Sequence, residues 1–317
     1  MNKRIISNEE FIELWKVHQS AAKIARLTGI SERNVHHRRR DIEAKYDTAL
    51  VAASNKNSVA QAYGHINLGM ENGTVIVFSD AHFQLGRRTT AFKALLWLIG
   101  ELKPKVVINN GDAFDGAQAS RHPANGWDVT PTIIQELNAC KMFLGEIQEA
   151  AGDAKLIWTL GNHDARFSTR LAIVAPEFQG VDGFRLEDHF PDWQHVVSCM
   201  VNDSVMVKHR WKGGIHATHN NAIGSGVSVC TGHLHSAKVT PVTDYTGTRY
   251  GVDCGTLAEP FGDQFMYAEN NPRNWRSAFA VLNLVDGHLL MPELCMVSAL
   301  ADDCVEWRGE LIDVSEF

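Results

Sequence analysis

What this chain lacks narrows its class before any motif is read. No apolar run approaches the roughly 18 residues of a membrane-spanning helix, so no membrane partner is expected. The start, Met1-Asn2-Lys3-Arg4-Ile5-Ile6-Ser7, carries a basic pair with no apolar stretch behind it, so it does not read as a secretory leader and the expected location is the cytoplasm. Cysteine is sparse. Cys140, Cys199, Cys230, Cys254, Cys295 and Cys304 form no CxxC pair, which argues against a disulfide framework or a cysteine zinc site. No internal repeat is visible, which excludes a solenoid. What remains, 44% hydrophobic and 21% charged over 317 residues, is the composition of an ordinary globular chain with room for one large domain and a small accessory one.

Charge is unevenly spread. Residues 1–46 hold ten Lys/Arg and six Asp/Glu, a balance of +4; the whole chain carries −7, so the remainder carries −11. This is a basic arm on an acidic body. The arm is helical by pattern. Phe11, Ile12, Leu14 and Trp15 share one helix face, and Ala21, Ala22, Ile24, Ala25 and Leu27 form a second short helix. Thr28-Gly29-Ile30 breaks the pattern, and Ser31 is a good N-cap for a third helix from Glu32 to about Lys45. Residues 20–40, SAAKIARLTGISERNVHHRRR, resemble helix-turn-helix regions of transcription factors and phage proteins. That resemblance implies that Ala25, Ile30 and Val35 pack the helices together, and that Arg33, Asn34, His37 and Arg38 face DNA. Residues 47–64 read as a linker.

From His65 the pattern becomes strand-like. Ile66 and Leu68 alternate, and Glu71-Asn72-Gly73 separates them from the apolar run Thr74–Phe78, a hairpin signal. Further strands are expected at Val106–Asn109, Lys155–Leu160, Val205–Lys208 and Val227–Cys230, with helices at Thr89–Lys103 and Pro131–Ala151. After residue 240 the chain reads mostly β, at Thr248–Asp253, Ala278–Val285 and Leu289–Val297. Alternating α and β early with strands late indicates an α/β domain of two packed sheets, residues 65–317.

Short polar motifs close these strands: Ser79-Asp80-Ala81-His82, Gly111-Asp112-Ala113-Phe114-Asp115, Gly161-Asn162-His163-Asp164, a lone His209, and Gly232-His233-Leu234-His235. Each presents an oxygen or imidazole donor where a strand becomes a loop, the place where ligands collect in α/β sheets. Singly, any of them is weak. In this order the set resembles the calcineurin-like metallophosphoesterase superfamily, whose motifs are DxH, GDxxD, GNH(D/E), a lone His and GHxH.

That resemblance implies an αββα two-sheet sandwich flanked by helices, with two divalent metals at the sheet edge. It implies that Asp80, His82 and His235 bind one metal, that Asn162, His209 and His233 bind the other, and that Asp112 bridges them. His163 would be the general acid, oriented by Asp115. The lone-His position could also be His216 or His219; His209 is preferred because it ends an apolar strand, where the family places this ligand. A carboxylate suits a bridge between two cations, and mixed N/O donors suit Mn²⁺, Fe or Zn²⁺ better than Ca²⁺, with Mn²⁺ the first expectation.

Protein phosphatases of the family have Arg after GDxxD and usually Glu after GNH; here Gly116 and Asp164 stand there, which is more similar to the nuclease and phosphodiesterase branches. Arg121 and Arg166, just after the second and third motifs, are candidate phosphate contacts. The segment Trp275-Arg276 and the turn Gly255-Thr256-Leu257 resemble phage and prophage members of the family. With the basic arm, the expectation is a phosphodiesterase or nuclease acting on DNA. The alternative is a hydrolase of small phosphoesters whose N-terminal helices are regulatory.

Overall fold

The computed structural model describes residues 6–46, 50, 64–121, 130–178, 180–262, 264–265 and 271–317. The expected linker therefore lies almost wholly outside the described residues. The chain divides into two compact units, Met1–Tyr63 and Gly64–Phe317.

The first unit contains α1 (Asn8–His18), α2 (Ala21–Thr28) and α3 (Glu32–Tyr46). Ser7 caps α1 through a reciprocal bond pair with Glu10, and Ser31 Oγ accepts from Asn34 N (3.3 Å) at the start of α3. Gly29, at φ 73°, ends α2 in the left-handed region. The apolar faces meet in a small core of Phe11, Trp15, Ile24, Val35 and Ile42, with Ala25 and Ile30 packed against it.

The second unit is a sandwich. The six-stranded sheet runs β1 (His65–Leu68), β6 (Ser198–Val201), β7 (Val205–Val207), β8 (Ser228–Thr231), β10 (Gly247–Asp253), β9 (Lys238–Asp244). The nine-stranded sheet runs β15 (Glu310–Asp313), β14 (Cys304–Trp307), β13 (Glu293–Val297), β11 (Ala278–Val285), β2 (Gly73–Phe78), β3 (Val106–Asn109), β4 (Lys155–Thr159), β5 (Gln194–Val196), with β12 (His288–Leu289) on β11. The central strands are buried on both faces, and period-two alternation divides their side chains. Val75, Val77, Val106, Ile108, Ala280 and Leu282 fill the space between the sheets. Ile76, Phe78, Val107, Phe279 and Val281 face the other way, onto α4 (Thr90–Leu102) and α5 (Ile133–Ala151). On the far side, α7 (Ala217–Ser225) packs on the six-stranded sheet, while α6 (Asp164–Val174) leaves the end of β4. This is the expected αββα sandwich.

One local expectation fails. The Asn72-Gly73 hairpin does not form: β1 pairs with β6 in one sheet, and β2 pairs with β3 and β11 in the other. The connection is a corner between layers. Asn202 Oδ1 accepts from Met70 N (2.7 Å), and Asn72 Oδ1 accepts from Asp286 N (2.9 Å), so the turn is tied to other loops. All six cysteines are buried and free. Among the described residues no helix is long and apolar enough to cross a membrane.

Candidate metal centre

Parallel pairing collects the motifs on one edge. β2, β3 and β4 are parallel neighbours, so Asp80, Asp112 and Asn162-His163 leave the same end of the larger sheet. β7 and β8 are parallel in the smaller sheet, and deliver His209, His233 and His235. The two sets face each other across the top of the sandwich.

The backbone at these donors is unusual. Among the described residues, twelve non-glycine residues have positive φ, and five of them are Asp80 (54°), His82 (42°), Asp112 (56°), His233 (71°) and His235 (56°). The others lie in turns or at helix C-caps. Such a conformation costs roughly 1 kcal/mol or more per residue, and persists where the surroundings over-determine it. Here they do. Asp80 N donates to Gly111 O (2.8 Å) and His82 N to Asp112 O (3.0 Å), while Arg276 N donates to His235 O (2.7 Å). Thr256 Oγ1 donates to Asp80 O (2.7 Å), and His233 N donates to Asp80 Oδ2 (2.8 Å). Two glycines make the close approach possible. A Cβ at Gly161 would sit 2.1 Å from Asp112 Oδ1, and one at Gly232 would sit 2.0 Å from Ser79 Oγ.

Asp164 holds the second and third motifs together. Its buried carboxylate accepts from Asp112 N (2.8 Å), Phe114 N (3.2 Å), Gly161 N (2.8 Å) and Trp158 Nε1 (2.9 Å). Burial, then the Asp112 charge, raises its pKa to about 6. Asp164 closes the Gly161-Asn162-His163-Asp164 motif, and nothing in the motif marks it as a clamp. Its work is long-range, and only its apolar neighbours in β4 hint at it.

Among the described residues, donor atoms lie within 4.8 Å of one another in the sets Asp80-His82-His235, His82-Asp112-His163 and Asp112-His209-His233. Their outer hydrogen bonds leave inner atoms for a cation. His209 Nδ1 donates to Asn110 O (2.7 Å), and its buried Nε2 has no hydrogen-bond partner although Asp112 Oδ2 is 3.0 Å away. His82 Nδ1 donates to Asp115 Oδ1 (3.1 Å), which leaves Nε2. His235 Nε2 lies 3.0 Å from Asp80 Oδ1, and Asn162 Oδ1 is buried with no partner. Imidazole nitrogens and carboxylate oxygens that converge this closely are the donor set that divalent metals take. His216 and His219 are exposed and belong to none of the sets; the geometry brings His209 to Asp112.

The electrostatics agree. Burial would raise the Asp80 and Asp112 carboxyls, but the charges of His235 and His209 outweigh it and hold both well below the usual range. Burial would lower His209; Asp112 and Asp80 overcome it and raise this imidazole to about 10. A buried carboxylate pair thus demands positive charge, and a bound cation would displace that proton.

His163 stands beside the donors. Its Nδ1 donates to Asp115 Oδ1 (2.5 Å), and its Nε2 is 3.9 Å from Asp112 Oδ2. Burial lowers its pKa, but the Asp115 bond and the Asp112 charge outweigh that and raise it. Arg166 donates to Asp115 O (2.9 Å) and faces His163 Nε2 (3.2 Å), so it lies within the site, whereas Arg121 is exposed at the edge of the described residues. In the first unit Arg33, Asn34 and His37 are exposed, His37 pairing with Asp41 (3.0 Å). Arg38 is placed differently from the expectation. It donates to Ile6 O (2.7 Å) and Asn8 Oδ1 (3.0 Å) and stacks on Phe11, because the aromatic face of α1 shelters its guanidinium.

A two-sheet sandwich with such donors at its strand ends is the framework of a metal-dependent phosphoester hydrolase. The profile of the calcineurin-like phosphoesterase family matches residues 73–246, more than half of the chain, and the chain belongs to that family. Curated relatives include the Gene 54 protein of Mycobacterium phage L5, 27% identical over 244 residues (69% of this chain, 92% of that protein). The Gene 54 protein of Mycobacterium phage D29 is 26% identical over 245 residues, with the same coverage, 69% and 92%. Similar solved structures include zinc-complexed Vps29 from Entamoeba histolytica, with TM-score 0.41 and 14% identity over 76% of this chain and 99% of that one. Another is the phosphoesterase YfcE from E. coli, with TM-score 0.32 and 14% identity over 69% of this chain and 98% of that one.

Proposed function

We propose that this metal-dependent phosphoester hydrolase is a DNA-directed phosphodiesterase or nuclease that works with two divalent cations, Mn²⁺ first and Fe or Zn²⁺ next. The observation that carries the two-cation reading is the position of Asp112, whose carboxylate belongs to two overlapping donor sets. Asp80, His82 and His235 would hold one cation, Asn162, His209 and His233 the other, with Asp112 between them. Divalent cations supply Lewis acidity towards phosphate oxygens and water.

The chain's own groups do the rest. Asp115 fixes the His163 ring by its Nδ1 hydrogen bond, so Nε2 faces the site. A guanidinium cannot accept a hydrogen bond, so Nε2 presents its lone pair to Arg166 in the arrangement seen here. When Arg166 turns to a phosphate oxygen, Nε2 can take a proton from solvent, which His163's raised pKa favours, and the leaving oxygen, more basic than imidazole as its bond to phosphorus breaks, takes that proton and returns His163 to the neutral form.

The DNA reading draws its support from exposed Arg33, Asn34 and His37 on α3, beside the balance of +4 in residues 1–46. The −11 carried by the rest of the chain favours the second reading, a hydrolase of small phosphoesters. The deciding experiment assays Mn²⁺-loaded protein on plasmid, linear duplex, single strand and bis-p-nitrophenyl phosphate. Metal-dependent cleavage of a nucleic acid is expected. Turnover of bis-p-nitrophenyl phosphate with every nucleic acid left intact would overturn the DNA reading.

A further inference from the structure

The acidic character of the larger unit has a gap. Between Asp203 and Asp244 there is no Asp or Glu, while Lys208, Arg210, Lys212 and Lys238 all fall inside this interval. The same interval supplies the metal-centre candidates His209, His233 and His235. One wall of the metal centre is therefore cationic in a body that is otherwise anionic.

The wall has a defined shape. Lys208 N donates to Cys230 O (3.1 Å), which extends the β7–β8 pairing up to His209. Beyond it, Lys212 is pinned to α7: its N donates to Asn221 Oδ1 (3.2 Å) and its Nζ to Asn220 O (2.9 Å). Trp211 is thereby presented outward, 45% exposed, with Lys208 Nζ 5.7 Å and Lys212 Nζ 5.1 Å from its ring centroid. Arg210 is exposed and next in sequence to His209. An exposed indole with ammonium groups over its ring offers those cations to phosphates and, once they are drawn off, a flat face to a base. It is well matched to a ligand that alternates flat rings with phosphates.

We infer that the segment Lys208–Lys212 is a track for single-stranded nucleic acid. In it Arg210 and Lys208 take phosphates flanking the scissile one, and an unstacked base lies on Trp211. The inference rests on the nucleic-acid reading above. It adds that the larger unit grips its substrate without the N-terminal helices, and that it prefers a strand whose bases are free.

The test uses full-length Mn²⁺-loaded protein turning over bis-p-nitrophenyl phosphate, with phosphorothioate oligothymidylates from dinucleotide to octanucleotide as inhibitors. Competitive inhibition locates the oligonucleotide at the metal centre and not on the N-terminal unit. The track predicts inhibition constants that tighten with length by about tenfold, the scale of one stacked base. Trp211→Ala should lose about that factor for long inhibitors and little for the dinucleotide, and Lys208→Gln should weaken the salt dependence. Length-independent constants, or non-competitive inhibition, for the wild-type protein alone would overturn the track. Length-dependent competition by strands whose ordinary phosphodiester counterparts are never cut supports the track and overturns the nuclease reading.

Discussion

The strand ends of the larger unit and helix α3 of the smaller one both carry candidate functional residues, and they hold them in opposite ways. At the strand ends most donors are buried and clamped, Asn162 and His233 being more open: Asp80 takes part in bonds from His233 N, Thr256 Oγ1 and Ser79 Oγ, and its own N is bound by Gly111 O. On α3 Arg33, Asn34 and His37 lie in water, His37 pairing with Asp41 of its own helix, and Arg38 turns inward to α1. A clamped site has one geometry, so its chemistry can be argued atom by atom. An exposed helix face has a charge and a shape, and these define a class of partner only. The two regions should therefore respond differently to substitution.

The largest effect is expected at the shared carboxylate. Asp112→Asn should abolish metal-stimulated turnover of bis-p-nitrophenyl phosphate while the protein stays folded by circular dichroism; retained turnover would break the claim that Asp112 joins two donor sets. Next comes His163→Ala. It should lower kcat roughly 10²–10⁴-fold on a diester with an alkoxide leaving group, and far less on one releasing p-nitrophenolate, which needs no proton. Equal losses on both substrates would remove the general-acid role.

Asp164→Asn probes the clamp itself. One amide oxygen cannot replace a carboxylate that accepts four hydrogen bonds. A loss of about 3 kcal/mol in urea unfolding is expected, with metal affinity down roughly 10- to 100-fold by titration calorimetry. A neutral outcome would mean that the loops after β3 and β4 are fixed by something else.

Glu136 gives a smaller and pH-dependent effect. It is buried and accepts from Gly116 N (2.6 Å) and Ala117 N (3.1 Å), and burial, then the Asp115 charge, raises its pKa to about 7. A carboxyl whose folded pKa is raised keeps its proton in the folded state longer than in the unfolded one. Its contribution is whole below the unfolded value near 4.5 and is lost as pH rises to about 7. Thermal melts of metal-free protein should lose up to about 3 kcal/mol across that window, and Glu136→Gln should flatten the profile. The smallest effect belongs to α3. Arg33→Ala should leave stability within about 0.5 kcal/mol and lower the salt slope of DNA binding by about one. An unchanged slope would take Arg33 off the DNA-facing surface.

Much of the clamped region was legible in the sequence because each motif is a short run at the end of one strand, and parallel strands bring such ends together. Local signals failed where the partner is distant. Asn72-Gly73 reads as a hairpin, yet β2 finds better partners in β3 and β11, whose residues lie far along the chain. Two-residue hairpins do form elsewhere: β11 to β12 turns on Asp286 (φ 48°) and Gly287 (φ 77°), and β14 to β15 on Arg308 (φ 51°) and Gly309 (φ 83°), left-handed pairs whose glycines were an available and unused signal. Arg38 was legible as a cation but not as an inward one, since that depends on where α1 places Phe11. Asp164 was legible as part of a motif, while two of its four donors, Asp112 N and Phe114 N, come from a stretch about fifty residues away.

The Asp164 carboxylate has a consequence for metal exchange. The loops after β3 and β4 hang from one buried anchor, so they move as a pair or not at all. Departure of a cation would leave its donors at fixed separations, ready for another of similar radius. Occupancy then becomes a competition among the ions present, decided by their supply and by how well each tolerates a preset mixture of nitrogen and oxygen, with no refolding step between one occupant and the next.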